Sequence, residues 1–254
     1  MTTLITGASA GIGMELAAVF ARHGHDLVLV ARSGERLRAL AGDLEKAHPI
    51  SARVIEKDLA LASAPDEVAR ELQELDVDVL VNNAGFGLYG PFVESELPKQ
   101  LEMVQLNVAT LTHLTGLFLP PMVRRRRGRV LNVASTAAFQ PGPLMAVYYA
   151  TKAYVLSFSE ALDEELRGSG VHVTALCPGA TETGFASRAD LETSRLFEAV
   201  AMDARSVAET GYRGLMAGKQ VVIPGLQNKF TAHANRVVPR RLAARLARIA
   251  HERA

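Results

Sequence analysis

Tyr148 and Lys152 stand four residues apart in Tyr148-Tyr149-Ala150-Thr151-Lys152. On a helix that spacing puts both on one face. An ammonium beside a phenol favours the phenolate, so the pair is expected to draw the tyrosine below its ordinary pKa of about 10. A phenol tuned in this way exchanges a proton with a substrate oxygen near neutral pH. Tyr149 lies about 100° further round the helix and only three residues from Lys152. Thirteen residues before Tyr148, Ser135 follows the apolar run Val130–Ala134, where a hydroxyl could hydrogen-bond the same oxygen.

A second chemical feature opens the chain. Thr6-Gly7-Ala8-Ser9-Ala10-Gly11-Ile12-Gly13 follows a short apolar run and precedes a helical pattern. Gly7 allows a tight turn, Gly11 lets a phosphate approach the backbone, and Gly13 lets helix and strand pack closely. The free N–H groups and dipole of the helix N-terminus suit a pyrophosphate. The same residues spell G-x-S-x-G, a nucleophile elbow around Ser9 with His172, His233 and His251 downstream as candidate bases. An elbow so early leaves no preceding strand to supply a second oxyanion donor, so the nucleotide reading is favoured. The next strand ends Val30-Ala31-Arg32, about where the ribose is read. A basic rather than acidic residue there suits a 2′-phosphate, hence NADP over NAD.

These residues need a scaffold, and the hydrophobic pattern supplies one. Strands are expected at Thr2–Thr6, Leu27–Val30, Ala52–Glu56, Val77–Val81, Val130–Ala134, Val171–Leu176 and Val221–Ile223. Helices are expected at Ile12–His23, Glu35–Ala47, Asp66–Leu75, Pro98–Arg125 and Val147–Leu166. Runs such as LVLV and VLNVA are apolar on consecutive residues, as strands covered on both faces require. Alternating strands and helices imply right-handed crossovers and an α/β fold, a single Rossmann-type doubly wound parallel sheet of about seven strands with helices on both faces. Leu106–Val123 lacks charged residues but contains Asn107, His113, Gly116 and Pro120-Pro121, which fits a buried helix terminated by the proline pair better than a membrane span.

The ordered set T-G-x-x-x-G-x-G at Thr6–Gly13, N-N-A-G at Asn82–Gly85, Asn107, Ser135, Y-x-x-x-K at Tyr148–Lys152 and P-G-x-x-x-T at Pro178–Thr183 resembles the short-chain dehydrogenase/reductase family. The resemblance runs from residue 2 to about 224. It implies an oxidoreductase interconverting a carbonyl and a secondary alcohol, with NADP(H) preferred and NAD(H) possible. It implies Tyr148 as general acid or base, Lys152 as its tuner and ribose ligand, Ser135 as the carbonyl-orienting hydroxyl, and Asn107 at a helix irregularity holding a relay water. It further implies cofactor contacts from Gly7, Ser9, Gly11, Ile12, Gly13, Arg32, Asp58, Leu59, Asn83, Ala84, Gly85, Tyr148, Lys152, Pro178, Gly179 and Thr183. Ala31 departs from the acidic residue of NAD-preferring members. Ala10 departs from the basic residue of many NADP-preferring ones, which leaves the preference resting on Arg32. The helices Pro98–Arg125 and Val147–Leu166 resemble the family's pairing faces and imply a homodimer or homotetramer. A catalytically silent nucleotide sensor or scaffold on the same fold is the alternative, and the intact catalytic set argues against it.

Composition fits that assignment. The 254 residues are 48% apolar and 22% charged, with net charge +1, one cysteine and no tryptophan. This is a globular balance without a disulfide framework or a multi-cysteine zinc site. A global polyelectrolyte is excluded, and no carboxylate spacing beside His23 and His25 completes a metal site. No charged leader opens the chain, so a cytoplasmic protein is expected. The run Arg124–Arg127 with Arg129 reads as solvated cations at a helix C-terminus rather than a nucleic-acid contact.

Two regions remain. Residues 1–224 carry the motifs, and residues 225–254 are expected to form a basic, helical extension of the same domain, holding seven basic residues and one acidic. There Leu242, Leu246 and Ile249 recur at helical spacing beside Arg241, Arg245 and Arg248. A terminal helix docked on its own domain is favoured over peripheral membrane contact. The small-molecule substrate should meet loops over the sheet's C-terminal edge. Phe86, Leu88, Tyr89, Phe92, Phe139, Leu144, Met145, Phe185, Leu191, Phe197 and Met202 suit a lipophilic carbonyl or alcohol.

Overall fold

The computed structural model describes residues 1–183 and 201–251. Phe185, Leu191 and Phe197 lie outside the described residues. Seven parallel strands form one sheet in the order β3-β2-β1-β4-β5-β6-β7. They are β1 Thr2–Thr6, β2 Asp26–Ala31, β3 Ala52–Glu56, β4 Val79–Asn82, β5 Gly128–Val133, β6 Val171–Leu176 and β7 Val221–Val222. The order reverses between β1 and β4, which opens a crevice at the strands' C-terminal ends.

Alternation along the strands explains the apolar runs. Ile5, Leu29, Val81 and Leu131 enter one core, and Leu4, Val28, Leu80 and Val130 enter another on the opposite face. Helices α1 (Gly11–Arg22) and α2 (Gly34–Ala47) cover the first face with Leu16, Phe20 and Leu37. Helix α3 (Ala64–Glu71) and the segment α4 (Leu97–Val104), a π-helical stretch (Gln105–Thr110) and α5 (Leu111–Arg124) flank the second, where Val68, Leu114 and Phe118 enter the core. Each such side chain, fully buried, contributes roughly 1.5–3 kcal/mol.

Several boundaries differ from the sequence expectation for local reasons. Pro65 lies in the first turn of α3, where its missing N–H costs nothing, so the helix starts two residues before Asp66. Pro120 and Pro121 do not end α5, which continues for most of a further turn to Arg124. After α6 (Ala146–Glu165), α7 (Ala204–Met216) escaped the pattern, and α8 (Leu226–Val237) lies in the extension expected to be helical, though no apolar stripe marked its bounds. The last is α9 (Arg240–His251).

The arginine run is not simply solvated. Arg125 pairs with Asp76 at 2.7 Å and donates to Val77 O, while Arg127 reaches the buried Asp78 at 2.8 Å. Arg126 donates to Gly168 O and Arg129 to Met216 O. The cations clamp the loops around the N-terminal ends of β4 and β5. Burial opposes ionisation of Asp78, but the Thr2 N–H and the Arg127 guanidinium outweigh it and lower its pKa.

Candidate active site

The crevice above β1 and β4 is a cleft of about 640 Å³. The glycine turn builds its floor. Gly7 has φ +65° and Gly11 φ +56°, both in the left-handed region that glycine tolerates. At Gly13 a Cβ would lie 2.3 Å from Gly7 O and 2.4 Å from Asn83 Nδ2. Asn83 donates from that amide to Thr6 O and Gly7 O, and Thr6 Oγ1 accepts from the N–H groups of Asn83 and Ala84. The β1 and β4 loops are thereby laced together. Helix α1 carries no side-chain cap and no acid in its first turn. Its orphan N–H groups face an anion's natural position.

Ser135 follows β5 and accepts from Ala137 N–H at 3.1 Å, which fixes the hydroxyl at the head of the 3-10 turn Thr136–Phe139. Its Oγ also donates toward Pro178 O at 3.4 Å. Tyr148 enters from the first turn of α6 and shares a hydrogen bond with Ser135. Both line the cleft, as does Lys152.

Burial, not the neighbouring lysine, sets the direction of the phenol's shift. Burial pushes Tyr148 up to about 12, and the hydrogen bond with Ser135 only moderates the rise. Lys152 Nζ donates to Val133 O at 2.7 Å and is 5.8 Å from the Tyr148 ring centroid. Burial lowers the lysine itself to about 8, because desolvation disfavours its charged form. Tyr149 also lines the cleft, but its ring packs over Gly142 and its phenol bonds Gln140.

Asn107 sits inside the π-helical stretch and is buried. Its Oδ1 accepts from Phe86 N–H at 3.1 Å, and its Nδ2 donates to Phe86 O at 2.9 Å and Thr151 Oγ1 at 3.2 Å. The amide therefore staples the loop after β4 to α6, one residue from Lys152. Beneath it Asn82 donates to Asn132 Oδ1, and Asn132 donates to Ser159 Oγ. This buried polar chain ties β4, β5 and α6 under the site; the sequence marked Asn82 through N-N-A-G but not its partners Asn132 and Ser159.

All the proposed cofactor contacts but Gly13 line the same cleft: Gly7, Ser9, Gly11, Ile12, Arg32, Asp58, Leu59, Asn83, Ala84, Gly85, Tyr148, Lys152, Pro178, Gly179 and Thr183. Gly13 lies beneath, against Gly7 O. Leu59 is tied down by Thr110 Oγ1, which donates to its carbonyl at 2.7 Å. Arg36 and Lys57 also border the cleft; the sequence reading missed Arg36, which lies one helical turn beyond Arg32. The cradle fits a dinucleotide: glycines where side chains would fill it, uncapped helix N–H groups and cations by the second strand. Among the described lining residues there is no histidine, so Ser9 lacks the base a hydrolase needs.

The substrate-side expectations divide. Phe86, Leu88 and Met145 line the cleft. Tyr89 packs beside Tyr148 and Tyr149, and Phe139 joins a separate cluster with Val155 and Ile223. Phe92 instead lines a separate hollow with Val104 and Val147. Leu144 has φ +66° and its carbonyl accepts from Gly90 N–H, while Met202 bridges Thr181.

A doubly wound sheet with this glycine turn at its switch point defines a dinucleotide-binding class of protein. The short chain dehydrogenase model matches residues 1–193. The chain belongs to that family of NAD(P)-using oxidoreductases. It is 34% identical over 179 residues to a very-long-chain 3-oxoacyl-CoA reductase of Rattus norvegicus, covering 69% of this chain and 57% of that enzyme. The match thus spans less than two thirds of the curated relative. A short-chain dehydrogenase from Sphingobium yanoikuyae in complex with NADPH superposes with TM-score 0.85 at 35% identity, covering 92% of each chain. A bulky-bulky ketone specific alcohol dehydrogenase from Comamonas testosteroni gives TM-score 0.79 at 32% identity, covering 94% of each.

Proposed function

We propose that this protein reduces a bulky lipophilic ketone to its secondary alcohol, or runs the reverse, with NADP(H) as the preferred cofactor. The observation that carries the reading is the convergence of Ser135, Tyr148 and Lys152 on the cleft that the glycine turn floors. When bound, the nicotinamide cofactor supplies or accepts the hydride. Ser135 Oγ and the Tyr148 phenol share one hydrogen bond in the unliganded protein. A carbonyl oxygen entering between them takes both donors.

Tyr148 holds its proton across the physiological range, because burial keeps the phenol up at about 12. It is the acid for reduction. In the oxidising direction its phenolate is the base, and the Lys152 ammonium on the same helical face favours that charge. Lys152 lines the same cleft and would hold the nicotinamide ribose. Asn107 is a positioning residue that fixes the Phe86 backbone against α6. The adenosine end would lie against Asp58, Leu59 and the Asn83–Gly85 segment. Arg32 and Arg36 would meet a 2′-phosphate bidentately. The NADPH-bound relative supports that preference.

Phe86, Leu88, Met145 and Tyr149 give the substrate end an apolar lining. The names of the acyl-CoA reductase and bulky-ketone relatives point the same way. Exposed Leu97, Leu101, Val104 and Tyr154 support pairing of two copies through α4 and α6. A panel of ketones and aldehydes run with NADPH and NADH tests the reading. Turnover of hydrophobic ketones with NADPH is expected; reduction confined to polyanionic substrates would overturn it.

A further inference from the structure

We propose that the outward face of α8 and α9 docks on an anionic lipid bilayer. The inference rests on this surface alone and does not require the activity above. Helix α9 is held by small residues: Ala243 and Ala247 are 3% and 4% exposed, one turn apart. Leu242, Leu246 and Ile249 are 48%, 55% and 65% exposed, at the i, i+4, i+7 spacing of one stripe. A helix that served only to cap its own domain would turn that stripe inward. Here the alanines face the protein and the large apolar groups face out.

Charge selects the occupant. Arg241, Arg245 and Arg248 flank the stripe and are exposed, and Arg240 begins the helix, also exposed. Glu252 is the one acidic residue from 210 to 254. Helix α8 repeats the arrangement. Leu226 and Phe230, 84% and 77% exposed, lie one turn apart on the side opposite buried Ala232, next to Lys229. Apolar groups rimmed by cations match an interface of acyl chains under anionic headgroups. A second copy of the same face would bring like charges together, which disfavours self-association. Among the described residues no helix is long and apolar enough to cross a membrane, so the contact proposed is a surface one.

The α8 part of this surface is fixed to the catalytic domain. A Cβ at Gly179 would meet the Asn228 amide of α8 at about 2.5 Å, and Asn228 Nδ2 donates to Pro224 O. Ala232 packs with Ile223, Cys177 and Phe139. Helix α8 therefore backs the Pro178–Gly179 rim of the cleft. Deleting residues 225–254 would damage that rim, so point variants are the sound probe.

Co-sedimentation of the full chain with phosphatidylcholine vesicles, alone or mixed with phosphatidylserine, tests the proposal. Binding is expected only with phosphatidylserine present, falling as salt rises. Arg241→Gln and Arg245→Gln should each weaken partition about fivefold. Leu246→Glu should weaken it at least tenfold, with the melting temperature and NADPH binding unchanged. Equal binding to neutral vesicles, no binding to anionic ones, or indifference to Leu246→Glu would overturn it. So would a dimer in size-exclusion chromatography that Leu246→Glu dissolves, since the face would then belong to a second copy.

Discussion

Lys152 and Tyr148 share one face of α6, yet the Lys152 Nζ is bound to the Val133 carbonyl at 2.7 Å and stands 5.8 Å from the Tyr148 ring centroid. The lysine is thus a strut between α6 and the end of β5 as well as a charge beside a phenol. Its desolvation has a consequence for stability.

Burial lowers Lys152 from 10.5 to about 8. Between those two values the unfolded chain binds the proton and the folded chain does not. Stability therefore rises as pH climbs through that window, and the cost of burying the charge is fully felt below it. The gain is on the order of 3 kcal/mol. Thermal melts of the unliganded protein between pH 7.5 and 10.5 (roughly the window set by the shifted and ordinary values) should show a steeper upward trend than melts of Lys152→Met. Parallel curves would mean that the ammonium stays solvated.

Tyr148→Phe removes the proton donor while keeping the ring that packs beside Met103 and Tyr149. The loss in kcat should be at least a thousandfold, within the range general acid catalysis supplies. NADPH affinity should stay within about threefold, since the phenol is not what holds the nucleotide. Stopped-flow turnover and fluorescence titration of the same variant separate the two quantities. Retained activity would pass the acid role elsewhere, with Tyr149 the nearest phenol.

Much of this is legible in the sequence, for a physical reason. Strands covered on both faces are apolar at consecutive residues, so LVLV in β2 and VLV in β4 announced a buried parallel sheet. The motif spacings then placed Ser135, Tyr148 and Lys152 at its C-terminal edge. Helix α7 was illegible because Gly211 and Gly214 weaken its local signal. They are needed where Leu176 and Val222 press against it: a Cβ at Gly211 or Gly214 would lie 2.8 or 2.2 Å from those side chains. Helix α8 turns Leu226 and Phe230 outward, so its apolar residues do not trace a core-facing stripe. The direction of the Tyr148 shift was also hidden. Spacing reveals a neighbouring charge, but burial, which dominates here, depends on the whole fold.

Gly13→Ala tests the lacing of the glycine turn. The new methyl would sit 2.3 Å from Gly7 O and 2.4 Å from the Asn83 amide that binds Thr6 and Gly7. Gly7 O is backbone and cannot swing aside. The cost should be about 1–3 kcal/mol, seen as a lower melting temperature. NADPH affinity should fall more than tenfold, because the same shift spoils the N-terminus of α1. An unchanged melt with normal binding would show that the turn relaxes without consequence.

Arg32 and Arg36 border the cleft from the end of β2 and the first turn of α2, exposed and close enough in sequence to act together on one anion. Hydrogen bonds to a charged group are each worth about 1.5–3 kcal/mol when the partner is lost. Arg32→Ala should therefore weaken NADPH by roughly tenfold or more, and the double variant with Arg36→Ala further. NADH lacks the 2′-phosphate and should change less than about threefold in either variant. Titrating both cofactors against both variants at two salt concentrations checks this, since the arginine contribution must shrink as ions screen it. Equal losses for NADPH and NADH would mean that the two guanidiniums act on the general field of the cleft, and the cofactor preference would need another source.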